Sequence, residues 1–296
     1  MSARDRHDTS RKQTVGVVLA SGGIKTFAAI PLFEFLHENN ITLDLAVGCS
    51  GGGLMAALIG AGFTPDKIRR MIDPLLDKSL FAKVDLRTLL GILKLPYGRF
   101  DASSGLLKPD AIQAVYGTIF GDLRLEDLSP QTLLHTTDML TGEGVVLSSG
   151  PVADAVYATG AAYPVLPPIN IEGRWLVDGV FSSSLPLMEA VNRNIDIIIT
   201  MTVSSKLTEA PEGFLDNYSY FNEMTKTAYE RSQIPLAVDM HHNEIVFINV
   251  TFDRVIDMWH VDQIPTVLEA GRKAVDKCKD EIICALQKTS DTSPIS

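Results

Sequence analysis

Residues 15–20 form a short continuous apolar run that fits a buried strand, and Ser21-Gly22-Gly23 breaks it. From about residue 26 to residue 38 the apolar positions change period. Phe27, Ile30, Phe33, Phe35 and Leu36 recur at helical spacing. Pro31 falls in the first turn, where its missing N–H costs little. Residues 43–47 read as a second strand, and Leu54-Met55-Ala56-Ala57-Leu58-Ile59 reads as a buried helix. The order strand, Gly turn, helix, strand, Ser turn, helix is a βαβα unit. It predicts a parallel sheet with helices on both faces.

The rest of the chain continues this pattern. Residues 65–120 read as mostly helical with loops. Residues 132–140 and 144–148 flank Thr141-Gly142-Glu143 and suggest paired strands. A short helix is expected over 152–159, strands over 174–177 and 195–203, and a helix near 187–191 between them. Residues 214–231 read as a helix, 245–250 as a strand, and 262–287 as a closing helix with Asp262 as N-cap. There is no internal repeat, no low-complexity tract and no linker-like stretch. The reading is a flexible leader over 1–13, one domain over 14–287 with a helical excursion at about 65–120, and a flexible tail over 288–296.

The chain has 296 residues, enough to bury a sizeable core without a disulfide or metal staple. Its three cysteines, Cys49, Cys278 and Cys284, show no CxxC spacing or Cys/His cluster, so neither zinc nor a disulfide framework is expected and a reducing compartment fits. The first fourteen residues lack an apolar core, so a signal peptide is not expected, and no apolar run is long enough to span a bilayer. A net charge of −10 argues against general nucleic-acid binding. The charge is uneven. Between Asp66 and Lys108 nine Lys/Arg face five Asp/Glu.

Candidate chemistry enters at Gly48-Cys49-Ser50-Gly51-Gly52. A serine at a sharp strand-to-helix turn projects its Oγ out of the sheet, and glycines around it let the backbone turn that tightly. The turn also brings helix N-terminal amides beside the hydroxyl. Such a serine needs a base. Six histidines are present: His7, His37, His135, His241, His242 and His260. None sits in a recognisable motif, although His241, His242 and His260 flank the last strand, where a late triad histidine could lie in chain order. Asp178, in Leu176-Val177-Asp178-Gly179-Val180 at a strand end, is the other candidate. Taken alone, Asp-Gly is a common turn.

Several ordered motifs together resemble the patatin-like phospholipase family over roughly residues 14–280. They are the Gly-rich loop Ser21-Gly22-Gly23-Ile24-Lys25-Thr26, the Ser50 elbow, and the stretch from Ala158-Thr159-Gly160-Ala161-Ala162-Tyr163-Pro164 through Asp178-Gly179-Val180 to Leu185-Pro186. Thr137-Asp138-Met139-Leu140-Thr141-Gly142-Glu143 and the run from Glu269 to Ala274 also resemble it. The resemblance implies a three-layer α/β/α fold with a mainly parallel sheet. It implies a phospholipase A- or lysophospholipase-like serine acyl hydrolase, with Ser50 as nucleophile and Asp178 as general base. Amides of Gly22, Gly23 and Ile24 would hold the oxyanion. Gly48, Gly51, Gly52 and Gly179 support the motifs, and Lys25 takes the place of a basic family residue. The sequence departs from the pattern at Ser21, Thr26 and Val180.

The implied substrate is a lipid ester, with no metal or cofactor, in a cytoplasmic protein that can touch a membrane peripherally. Residues 80–100 combine large apolar side chains with Lys83, Arg87, Lys94 and Arg99. They read either as a cover at a lipid interface or as a packed helical hairpin. Two other functions stay open: a lipid-binding or regulatory protein without turnover, and a histidine-dependent esterase on an α/β-hydrolase fold. Acyl transfer to an acceptor other than water is a third. Oligomeric state is not readable.

Overall fold

The computed structural model describes residues 12–207, 210–256 and 261–287. Most of the expected leader and all of the expected tail lie outside these residues. The chain opens with β1 (Val15–Leu19), a 3-10 segment over Gly23–Ala29, α1 (Ile30–Glu38), β2 (Leu45–Cys49) and α2 (Gly51–Gly60). Then come α3 (Pro65–Arg70), α4 (Ile72–Leu75), α5 (Leu86–Ile92) and α6 (Asp110–Phe120). These are followed by β3 (Gln131–Asp138), β4 (Gly144–Leu147), α7 (Val152–Thr159), β5 (Ile169–Ile171) and β6 (Arg174–Asp178). The last elements are α8 (Met188–Val191), β7 (Ile197–Ser205), α9 (Gly213–Met240), β8 (Glu244–Phe252) and α10 (Ile264–Gln287).

The strands form one mixed sheet in the order β5-β6-β3-β2-β1-β7-β8, with β4 also paired to β3. From β3 to β8 every pairing is parallel; β4 and β6 run antiparallel to β3, and β5 antiparallel to β6. Alternation along the strands feeds two cores. Val15, Val17, Leu19 and Ile199 pack with α1, α2 and α10 on one face. Val18, Leu45, Val47 and Ile198 pack with residues of α8 and α9 on the other. The result is a three-layer α/β/α architecture. Each fully buried Val, Leu or Ile contributes roughly 1.5–3 kcal/mol, so the sheet is held chiefly by apolar burial on both sides.

Four details differ from the pattern-based reading. The helix expected from about residue 26 begins as a 3-10 segment, because the chain leaves β1 in a tight turn, and becomes α-helical only at Ile30. Helix α9 does not stop near residue 231. It runs through Pro235 to Met240. The proline removes a bond to the carbonyl of Arg231, which sits at the exposed surface, so no buried acceptor is stranded. Strand β5 was not anticipated. It is only three residues long, and it pairs β6 across a two-residue hairpin turn at Glu172-Gly173, both with positive φ. Asp262 lies inside a 3-10 turn over Val261–Gln263 that precedes α10, not at its N-cap.

The start of α2 lies against the end of β1. A Cβ on Gly52 would sit 2.5 Å from the carbonyl oxygens of both Leu19 and Ala20. Those atoms are backbone and cannot swing aside. Gly52→Ala is therefore expected to lower stability by about 1–3 kcal/mol through overpacking, read as a reduced urea midpoint at unchanged slope. An unchanged midpoint would show that α2 can lift from β1 freely.

Candidate active site

Strand β3 brings the two sequence-distant candidates together. Its residues 131–135 pair with β2, ending with Cys49 opposite His135. Its next residues pair with β6, with Asp178 opposite Thr136. β2 runs parallel to β3 and β6 antiparallel, so their C-terminal ends converge on neighbouring positions of one strand. Ser50 follows Cys49 directly, and its Oγ donates a hydrogen bond to Asp178 Oδ2 at 2.7 Å.

Ser50 sits at the N-cap of α2 with φ 56° and ψ −127°, the left-handed side of backbone space that a non-glycine residue avoids. Such a conformation costs of order 1–3 kcal/mol and persists only where the surroundings fix it. Here they do. The Ser50 N–H donates to Thr159 Oγ1 at 2.9 Å, and Thr159 Oγ1 donates to the His135 carbonyl at 2.6 Å. The last residue of α7 thus pins the elbow to β3.

Asp178 is 3% exposed. Its Oδ1 accepts the Val180 N–H at 2.9 Å, and the Cys49 Sγ lies 3.9 Å from the same oxygen. Burial raises the carboxyl to about 6, against the pull of the bonds from Ser50, Val180 and Cys49. Burial and the neighbouring Asp178 charge push the Cys49 thiol well up, so it stays protonated. Gly48 lies within β2, and Gly179 opens the 3-10 turn Gly179–Phe181 that follows the aspartate.

The Gly22-Gly23-Ile24 loop adjoins the elbow. A Cβ on Gly51 would lie 2.4 Å from the Gly23 carbonyl, so the two backbones nearly touch. Loop, Ser50 and Asp178 share one cavity of about 240 Å³. Its remaining wall is largely apolar and includes Leu54, Leu76, Phe81, Ile112, Tyr116 and Leu166. Lys25 is buried. Its Nζ contacts Glu223 Oε2 at 2.6 Å and Ser205 Oγ at 3.1 Å. At two of the departures from the family pattern the loop is hydrogen-bonded: Thr26 Oγ1 donates to the Gly23 carbonyl within it at 2.7 Å, and the Ser21 N–H to the carbonyl of Ser184, outside it, at 2.7 Å.

The histidines are elsewhere. His135 is buried in β3, with Nε2 3.0 Å from Ser182 Oγ, and burial lowers it to about 4. His37 and His242 are exposed. His241 feels Asp196, which precedes β7 and bonds the Thr14 N–H ahead of β1. It therefore lies at the opposite end of the sheet from Ser50. His7 and His260 fall outside the described residues. Among the described residues no histidine hydrogen-bonds to Ser50 or Asp178. Sequence reasoning assigned no role to Thr159 and overlooked Glu223, Tyr116 and Tyr218, all at or beside the cavity. Glu223, Lys226 and Glu230 share one face of α9 at i, i+3 and i+7, a signal that could have marked that face as buried and paired.

Known proteins carry the same arrangement of layers. VipD from Legionella pneumophila superposes with a TM-score of 0.53 over 92% of this chain and 67% of that one, at 14% identity. That likeness speaks for the fold alone. The family model for patatin-like phospholipase matches residues 17–191, and the chain belongs to the patatin-like phospholipase family. An uncharacterized NTE family protein of Mycobacterium tuberculosis is 26% identical over 195 residues, covering 66% of this chain and 50% of the relative. The lysophospholipase nte1 of Aspergillus oryzae is 26% identical over 221 residues, covering 73% of this chain and 14% of the relative. The chain thus spans half the length of the first relative and a much smaller share of the second.

The raised Asp178 pKa has a consequence for stability. The folded carboxyl holds its proton up to about 6, whereas the unfolded one releases it near 3.8. Between those values the native state binds more protons, so this group's contribution falls as pH rises and stays at its lowest above about 6. Asp178→Asn removes the titration. Its stability relative to wild type is expected to climb by up to about 3 kcal/mol between pH 4 and pH 7.5, measured by urea unfolding. A gap that stays flat with pH would contradict the burial argument.

Proposed function

We propose that the chain is a serine acyl hydrolase acting on lipid esters, with a Ser50–Asp178 dyad. The observation that carries this reading is the 2.7 Å contact between Ser50 Oγ and Asp178 Oδ2 at the polar end of an apolar cavity. Asp178 accepts the Ser50 proton as Oγ attacks the ester carbonyl. The amides of Gly22, Gly23 and Ile24 stabilise the oxyanion. Losing one such donor typically costs roughly 3–4 kcal/mol of barrier. The proton passes to the leaving alcohol, and water then cleaves the acyl-enzyme through the same pair. A carboxyl lifted to about 6 is a better base at neutral pH than an exposed aspartate, and burial supplies the lift. The apolar wall suits an acyl chain. The name of the fungal relative, a lysophospholipase, is consistent with a lysophospholipid ester.

Peripheral contact with an anionic lipid surface belongs to the same proposal. Leu80 and Phe81 begin a segment at the cavity wall. Further along it turns outward: Leu86 is 66% and Tyr97 94% exposed, and Leu93, Leu95 and Phe100 are exposed as well. Lys83, Arg87, Lys94 and Arg99 are exposed among them. A packed hairpin would hide the apolar members. An apolar surface ringed by cations suits an acidic bilayer, even on a chain of net charge −10. Among the described residues no helix is long and apolar enough to cross a membrane.

Ser50→Ala and Asp178→Asn are each expected to abolish hydrolysis of a soluble short-chain ester, while alanine at His241, His242 or His260 leaves it intact. Loss of activity in a folded histidine variant would end the dyad assignment. The acidic limb of kcat/KM is expected to rise with pH and level off above about 6, because only the ionised aspartate accepts the proton. A fluorophosphonate probe separates this reading from a non-catalytic lipid binder: labelling confined to Ser50 supports turnover, and its absence in folded protein argues for binding alone. Leu86→Ser with Tyr97→Ser is expected to weaken sedimentation with anionic vesicles far more than it slows hydrolysis of the soluble ester. Equal losses would favour packing over lipid contact.

A further inference from the structure

Beneath the Gly-rich loop lies a buried charge cluster. Lys25 Nζ bonds Glu223 Oε2 at 2.6 Å and Ser205 Oγ at 3.1 Å, and Glu223 Oε1 accepts the Ser205 N–H at 2.8 Å. One carboxylate therefore grips both the loop lysine and the last residue of β7. Lys226 Nζ donates to the Val203 carbonyl and lies 3.7 Å from Glu223 Oε1 and 3.4 Å from Glu230 Oε1. Burial works to raise the Glu223 carboxyl, but the charges of Lys25 and Lys226 overcome it, so it stays ionised. The same helix fixes the opposite side of the cavity. Tyr229 Oη donates to the Phe181 carbonyl at 2.8 Å, just past Asp178, and Tyr218 Oη to the Tyr163 carbonyl at 2.8 Å.

A loop that must aim two or three amides at one oxygen is held from within by few bonds, among them Thr26 Oγ1 to the Gly23 carbonyl. Gly22 and Gly23 supply flexibility, and Lys25 is the next side chain after Ile24. The Lys25 N–H also closes back on the Gly22 carbonyl at 3.2 Å, so fixing Lys25 fixes the amides before it. We infer that Glu223 is a positioning residue of the active site: through Lys25 and Ser205 it sets the aim of the Gly22-Gly23-Ile24 amides. This inference rests on the proposed reading of that loop as the oxyanion cradle. Glu223 touches no reacting atom; it acts through its neighbour.

The test uses the full chain, a soluble short-chain ester and a fluorophosphonate, whose phosphonyl oxygen needs the same cradle. Glu223→Gln keeps the size and an acceptor for the Ser205 N–H but removes the charge. It is expected to lower kcat about tenfold or more, as small misplacements of catalytic groups do. KM should change by less than about threefold, because Gln keeps the size of the Glu223 side chain in the cavity lining and the apolar wall is unchanged. The rate of Ser50 phosphonylation should fall with kcat, and the protein should remain folded by circular dichroism. Because Glu223 acts through Lys25, the double variant Lys25→Met/Glu223→Gln should be no slower than Lys25→Met alone. Wild-type kcat in Glu223→Gln, a loss confined to KM, or losses that multiply in the double variant would each overturn the inference while leaving the dyad standing. Should Glu223→Gln fail to fold, Ser205→Ala removes one acceptor of Lys25 and no charge. A folded Ser205→Ala with kcat lowered about threefold or more supports the inference, and one with unchanged kcat overturns it. A wild type that neither hydrolyses nor labels overturns the reading of the site, and this inference with it.

Discussion

One strand carries the site. Residues 135 and 136 of β3 receive, from opposite directions, the ends of a parallel partner and an antiparallel partner. In a sheet that is parallel throughout, strand ends gather side by side along one edge; here the two ends meet head to head part-way along β3. The switch of direction at β6 turns the two chain ends toward each other, and the hydroxyl and carboxylate meet at 2.7 Å. The serine's strained backbone, the bridge from Thr159 to the His135 carbonyl, and the close approach of Gly52 to β1 follow from holding that junction shut.

The junction is electrostatically tense. A carboxyl with 3% exposure carries a desolvation penalty that three hydrogen-bond donors only partly offset. That loss of stability is what the proposed role of Asp178 as a base near neutrality would require. Buried charge is handled differently elsewhere in the lining of the same cavity. Around Lys25 the cations and carboxylates are paired, which suits structural anchoring more than proton transfer. Two polar centres lining one cavity therefore differ in kind: at Asp178 the buried charge has no cationic partner within ion-pair distance among the described residues, whereas around Lys25 the charges are paired.

The cavity joins this chemistry to the surface. Its apolar wall passes through Phe81 into a segment whose large side chains face solvent beside cations. A long helix, α9, bounds the other side with polar anchors facing in and Phe221 and Met224 exposed. Cavity-facing and solvent-facing apolar surfaces are thus continuous through short segments of chain.

Local chemistry made much of this legible before any coordinates. The apolar runs marked β1, β2 and β7, because strands buried on both faces read as continuous hydrophobic stretches, and the edge strand β8 was marked by the run at 245–250 although its burial alternates toward its end. Gly48-Cys49-Ser50-Gly51-Gly52 marked the elbow, because only small residues tolerate so tight a turn against a neighbouring strand. Strand β5 stayed hidden because three residues carry no period, and α9 was cut short because a proline usually ends a helix unless its missing bond falls at the surface. The sequence alone determined which residues had reactive groups and which turns could present them. The ordered motifs had already pointed to Asp178; tertiary structure decided that it, and no described histidine, meets Ser50, that Lys25 is buried against Glu223, and that Leu86, Leu93, Leu95, Tyr97 and Phe100 show their apolar side chains to solvent. Pairing direction, burial and long-range charge contacts are properties of elements far apart in the chain, and local pattern holds no record of them.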